Sequence, residues 1–182
     1  MKKLIFFALI ILIGSSCKKT IQSVVEPFKG FDATLSTVEF DLPAIPFAPP
    51  IEVQLGQFPQ HFDFDSLVKA NTGGTFSAAD IVSVKLKNMS VKITNSDVTN
   101  NLGNFESARF TFFSNAITTP VEVASISFPD AVADSINFTP TNPAELKGYL
   151  AGKELTYNVY GKMRRTTSKS LHLRVNTIVT VR

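Results

Sequence analysis

The chain has 182 residues, 44% of them hydrophobic and only 18% charged, which is enough apolar material for a packed core and excludes a wholly disordered protein. Its 18 basic and 15 acidic residues give a formal charge of +3, and losing Lys2 and Lys3 with a leader leaves a basic excess of one. So small an excess cannot track a phosphate backbone, which excludes nucleic acid as a partner.

Lys2 and Lys3 are followed by an unbroken apolar run, Leu4 to Ile13, and then by the small residues Gly14, Ser15 and Ser16. Ten helical residues span about 15 Å, half of a hydrocarbon core of about 30 Å, so the run reads as a cleaved secretory signal over 1–16. The only cysteine, Cys17, comes next and has no second thiol in the chain to pair with. GSSC at this place resembles the lipobox of bacterial lipoproteins. The resemblance implies cleavage before Cys17, a diacylglyceryl group on its thiol and often a third acyl chain. It places the mature protein on a membrane of the cell envelope, with the outer membrane of a Gram-negative bacterium favoured. Two or more acyl chains anchor stably where one does so only marginally. Residues 17–30 carry Lys18, Lys19, Pro27 and Gly30 without sustained alternation, and read as the lipidated N-terminus and tether.

From Phe31 the dominant period is two. Val38, Phe40 and Leu42 alternate with Thr37, Glu39 and Asp41, a half-buried strand. Four prolines between Pro43 and Pro50 exclude a central strand there. Ile51, Val53 and Leu55 resume the alternation. Asp65 to Asn71 suits a short helix stopped by Gly73 and Gly74. Val82, Val84 and Leu86 alternate, and Met89, Val91 and Ile93 continue in the opposite parity, which predicts a β-bulge at Lys87 and Asn88. Further strands are expected at 105–113, 121–128 and 135–139. Pro143 to Ala151 suits a helix with Asn142 as its cap, Glu145 in capping-box spacing and Gly152 at its end. Tyr157, Val159 and Met163, then Leu171, Leu173 and Val175, alternate on either side of a polar stretch and predict a terminal antiparallel hairpin. About eight strands and one or two short helices point to an antiparallel β-sandwich over 31–182, with a small closed barrel as the alternative. The fourteen phenylalanines outside the signal are core material first and the lining of a greasy ligand cavity second.

Two clusters carry the site expectations. His61, Asp63 and Asp65 alternate with Phe62 and Phe64, and on a strand they would share one face as a weak metal-site candidate. Lys162, Arg164, His172 and Arg174 would share the outer face of the terminal hairpin, with Arg165 and Lys169 in its loop, as a surface for an anionic ligand. The tripeptides Asp65-Ser66-Leu67 and Asp134-Ser135-Ile136 resemble an envelope O-glycosylation acceptor pattern. No nucleophile elbow, P-loop, dinucleotide fingerprint or zinc-protease helix is present, and no catalytic residue and no cofactor are assigned. The reading is a lipid-anchored, non-catalytic binding or assembly module whose partner is the membrane and an envelope protein or glycan. The alternatives are a lipid-anchored glycan hydrolase and a lipid or small-ligand binder.

Overall fold

The computed structural model describes residues 28–48 and 50–182; the signal, Cys17 and the tether up to residue 27 lie outside the described residues. Eight strands, β1 (Phe31–Leu42), β2 (Val53–His61), β3 (Val84–Ile93), β4 (Phe105–Ser114), β5 (Val121–Ser127), β6 (Ser135–Phe138), β7 (Glu154–Met163) and β8 (Leu171–Val181), are joined by helices α1 (Phe64–Thr72) and α2 (Lys147–Leu150). They form two four-stranded antiparallel sheets, ordered β1-β8-β3-β6 and β2-β7-β4-β5. Every connection except β4–β5 crosses from one sheet to the other, and the two sheets together make a jelly-roll β-sandwich.

The core follows from the alternation. Val38 and Leu42 on β1, Met89, Val91 and Ile93 on β3, and Leu171, Val175 and Val179 on β8 turn inward from the first sheet. Phe110 and Phe112 on β4 and Leu155, Tyr157 and Val159 on β7 meet them from the second. Phe112 is fully buried, with its ring centroid 5.4 Å from Tyr149 and 5.7 Å from Tyr157. Burial pushes the Tyr157 phenol up to about 12, and its hydroxyl accepts a 2.7 Å hydrogen bond from Ser36.

The expected bulge is present: the pairing of β3 with β8 slips between Leu86 and Asn88. Similar slips mark three of the four sheet edges, at Leu35 in β1, Leu55 in β2 and Val123 in β5. The fourth edge strand, β6, has only four residues. Bulged or short edges pair poorly with another chain, so the fold blunts its own exposed ladders. On the β1–β2 side, Phe40 and Phe58 stack at 4.1 Å and close the sandwich. A Cβ on Gly56 would lie 2.2 Å from the Phe58 ring, so glycine is what lets that ring fold back over β2.

Helix α1 begins at Asp63, whose carboxylate accepts the Ser66 N–H at 3.0 Å, and stops at Gly73 in the left-handed region at φ 60°. The second helix is shorter than its sequence signals suggest. Glu145 joins the β3 start instead, accepting the Val84 N–H at 2.8 Å and the Ser83 hydroxyl at 2.5 Å, and the helix keeps only Lys147–Leu150. Asn142 therefore caps nothing; the capping-box spacing is spent on a tertiary contact.

The terminal hairpin is the main correction. β7 lies in the second sheet and β8 in the first, and they do not pair. A buried polar node at the end of the sandwich holds the chain between them. Asn104 donates through Nδ2 to the Thr99 and Thr166 carbonyls at 3.0 and 2.7 Å, and its own carbonyl accepts the Arg164 and Arg165 N–H groups at 2.7 and 3.0 Å. Asn100 accepts the Ser168 N–H at 2.8 Å. Asp97 caps this loop and pairs with Lys169, and that cation with the Asn100 and Thr99 N–H groups holds its carboxyl well below the usual range. These bonds pin residues 164–170 to the β3–β4 loop and steer the chain across the sandwich.

Candidate functional site

Because β7 and β8 belong to different sheets, Lys162, Arg164, His172 and Arg174 do not share one face, and only His172 and Arg174 stay together. Lys162 pairs with Glu106 at 2.8 Å on the outside of the second sheet. Arg164 turns to the loops and donates to the carbonyls of Gly103, Phe105 and Phe128 at 3.0, 2.8 and 3.1 Å, which makes it a structural clasp. Arg165 pairs with Asp130 at 2.6 Å. His172 pairs through Nδ1 with Asp41, and Arg174 Nε lies 2.6 Å from Glu39, both on the outside of the first sheet. Alternation fixes which way a residue faces within its strand, but not which sheet the strand joins.

The second cluster is also divided. Asp63 is the α1 cap, held below the ordinary carboxylate value by the Ser66 N–H and hydroxyl. Asp65 pairs with Lys69 at 2.5 Å and accepts the Ala78 N–H at 2.9 Å; the Lys69 ammonium is the main cause of its lowered pKa. His61, at the end of β2, lies 3.7 Å from Glu154. Among the described residues no group of three or more His, Cys, Asp or Glu is placed to hold a metal ion. The strand ends at His61 and the helix takes over, so the one-face spacing assumed for a metal candidate is lost.

Several surface hollows have the volume of small-molecule sites, which run from about 300 to 1,000 Å³, and two of them bear on the chemistry expected here. One, of about 450 Å³, lies on the outside of the first sheet and brings Glu39, Asp41, Thr94, His172 and Arg174 together. Its charges are committed to one another through the Glu39–Arg174 and Asp41–His172 pairs. Both carboxylates are more than half exposed, at 59% for Glu39 and 65% for Asp41. A glycosidase acid is instead kept dry and apolar.

The other hollow, of about 470 Å³, is a groove on the open side of the sandwich, between the edge strands β5 and β6 and the chain following β6. Phe138 and Pro140 give it half-buried ring surfaces, while Glu122, Ser125, Thr141 and Asn142 line it with exposed polar groups. Those four side chains make no hydrogen bond or ion pair to one another within the groove, in contrast to the closed pairs of the first hollow. The fold explains the location. Phe40 and Phe58 seal one side, whereas the short β6 leaves the other side open. Beside the groove on the second sheet, Arg109 sits 4.2 Å over the Tyr160 ring and 2.6 Å from Glu52; the Glu52 carboxylate raises its pKa first, and Glu122 adds to that field. The sequence carried no signal for this groove beyond the turn residues Asn142 and Pro143. Its members come from strands and a loop that only the topology brings together.

No family model matches the chain, and no curated protein matches it in sequence. Among solved structures, the family 32 CBM from C. perfringens NanJ in complex with galactose is similar at a TM-score of 0.38 and 8% identity, over 81% of this chain and 99% of that one. The structure of infectious bursal disease virus Gt strain is similar at 0.35 and 8%, over 84% of this chain and 33% of that one, so the chain spans about a third of the viral protein's length. Likeness at this level carries no ligand and no activity to this chain.

Proposed function

We propose that the chain is a lipid-anchored protein of the cell envelope, in the outer membrane of a Gram-negative bacterium, whose jelly roll binds a glycan in the β5–β6 groove. The carrying observation is the groove itself: ring surfaces beside a carboxylate, an amide and two hydroxyls left free of one another. A sugar presents C–H faces and hydroxyls together, and Phe138 and Pro140 match the first as Glu122, Ser125, Thr141 and Asn142 match the second. The GSSC end supplies the anchor. Hydrolysis is the weaker reading, because Glu39 and Asp41 are open to solvent and engaged by Arg174 and His172.

The test is calorimetric titration of the chain from residue 17 onward, carrying Cys17→Ser, with envelope and extracellular oligosaccharides. A glycan from this panel binds, and Glu122→Ala and Asn142→Ala each weaken it by about tenfold or more, roughly 1.4 kcal/mol, while Glu39→Ala does not. Binding that survives both groove substitutions, or no binding across the panel, would contradict the assignment.

A further inference from the structure

We infer that the end of the sandwich from which the tether leaves is a docking face for anionic phospholipid headgroups, formed by Lys29, Lys85, Lys87 and Arg182 around the exposed side chain of Val82. The inference rests on the lipid anchor proposed above, and it adds an orientation: this end faces the bilayer and the Asn104 node faces away from it.

Phe28 is rooted in the domain by ring contacts of 6.0 Å to Phe31 and 5.0 Å to Phe76, so the chain enters beside the start of β1. The last residue of β8 and the first of β3 lie at the same end, because Phe31 and Val84 both pair with Val181. Two adjoining hollows share Thr180 and Arg182. One also holds Lys29 and Lys87, and the other Lys85 and Val82. Four cations are thus contiguous, opposed by Asp32, which Lys87 neutralises at 2.6 Å, and by Glu145, whose carboxylate is taken up by the Ser83 hydroxyl and the Val84 N–H. Among the described residues, Lys29, Lys85 and Arg182 make no ion pair. Val82 is 81% exposed, yet its N–H donates to the Arg182 carbonyl, as does that of Ser83 at 2.8 Å, so its apolar side chain is held outward on a fixed backbone.

Reach is consistent with contact. From Cys17 to Phe28 is eleven residues, at most about 36–40 Å when extended and about 18 Å as a flexible coil. At about 18 Å the face stands some two Debye lengths from the bilayer, and the tether is long enough to let it come within one, where an anionic surface attracts Lys and Arg. A neutral lipid surface would gain nothing from these cations, and a nucleic acid would need a larger basic excess than the chain has.

The experiment is sedimentation of the chain from residue 17 onward, carrying Cys17→Ser and so without lipid, with phosphatidylcholine vesicles containing 0 or about 30% phosphatidylglycerol, at low and high salt. The protein partitions onto the anionic vesicles at low salt, and high salt releases it. Lys29→Gln, Lys85→Gln and Arg182→Gln combined lower that partitioning by about tenfold or more. Lys92→Gln, Lys162→Gln and Arg174→Gln combined, which remove the same charge elsewhere, leave most of it. Equal partitioning onto the two vesicle types, or equal losses in the two triple variants, overturns the inference. Acyl labelling of Cys17 decides the anchor separately, so the two readings fail by different results.

Discussion

Leu173→Asp unfolds the domain, whereas its neighbour substitution Arg174→Asp leaves it folded. Leu173 is 7% exposed on β8, a central strand with β1 on one side and β3 on the other. A carboxylate there has no partner cation and must either protonate or force water into the core, at a cost of about 3–5 kcal/mol. That is a large share of a total stability of roughly 5–15 kcal/mol. Arg174 points to the opposite face, opposite Glu39 on β1 and Lys92 on β3. An aspartate at 174 would repel Glu39 and attract Lys92, so the terms offset and the change stays within about 1 kcal/mol. Thermal melts of both variants check this. If Arg174→Asp unfolds the domain and Leu173→Asp does not, the facing of β8 is inverted.

Asn104→Ala is the second large loss expected. Asn104 is 2% exposed, and its side chain serves the Thr99 carbonyl, the Thr166 carbonyl and the Asn101 N–H, the last at 2.9 Å. Alanine leaves the buried Asn101 N–H without its partner, at about 1–3 kcal/mol, and frees the carbonyls of the exposed Thr99 and Thr166, which water reaches in part, so a total loss of about 2 kcal/mol or more is expected. Asn104→Asp rescues little, because a carboxylate accepts the Asn101 N–H but turns an oxygen toward two carbonyls. Urea denaturation curves measure both. A loss under about 1 kcal/mol in Asn104→Ala would mean that the node is not what fixes the crossing from β7 to β8.

The parts of this fold legible in the sequence are those written in local periodicity. Val84 to Ile93 announced a strand and its bulge, because the apolar parity changes where the register slips. Gly73 announced the end of α1 through its left-handed backbone. The first half of β1 was not legible for the same reason that the bulge in β3 was: Ala33 and Leu35 face inward in one parity and Val38 and Leu42 in the other, so the alternation breaks at Leu35. The alternation that begins β2 does not reach its end, because Gly56 and Pro59 interrupt the apolar pattern, yet an edge strand tolerates both.

Tertiary partnership was the illegible part. Seven polar residues from Arg164 to Ser170 join a hairpin and a crossing between sheets equally well, and the choice is made by Asn104, 60 positions before Arg164. The supposed cationic face followed the mistaken hairpin. The β5–β6 groove is invisible for the same reason, since Glu122, Phe138 and Asn142 meet only through sheet order. The expectation for Cys17, by contrast, rests on sequence alone, on the short apolar run and small residues that precede it.

The central claim, a binding domain held to the envelope by lipid on one cysteine, is tested most directly by metabolic labelling with an alkyne-bearing palmitate. Cells expressing the full chain should yield labelled protein in the membrane fraction, and Cys17→Ser should carry no label. Label retained by Cys17→Ser, or an unlabelled parent chain, would contradict the account.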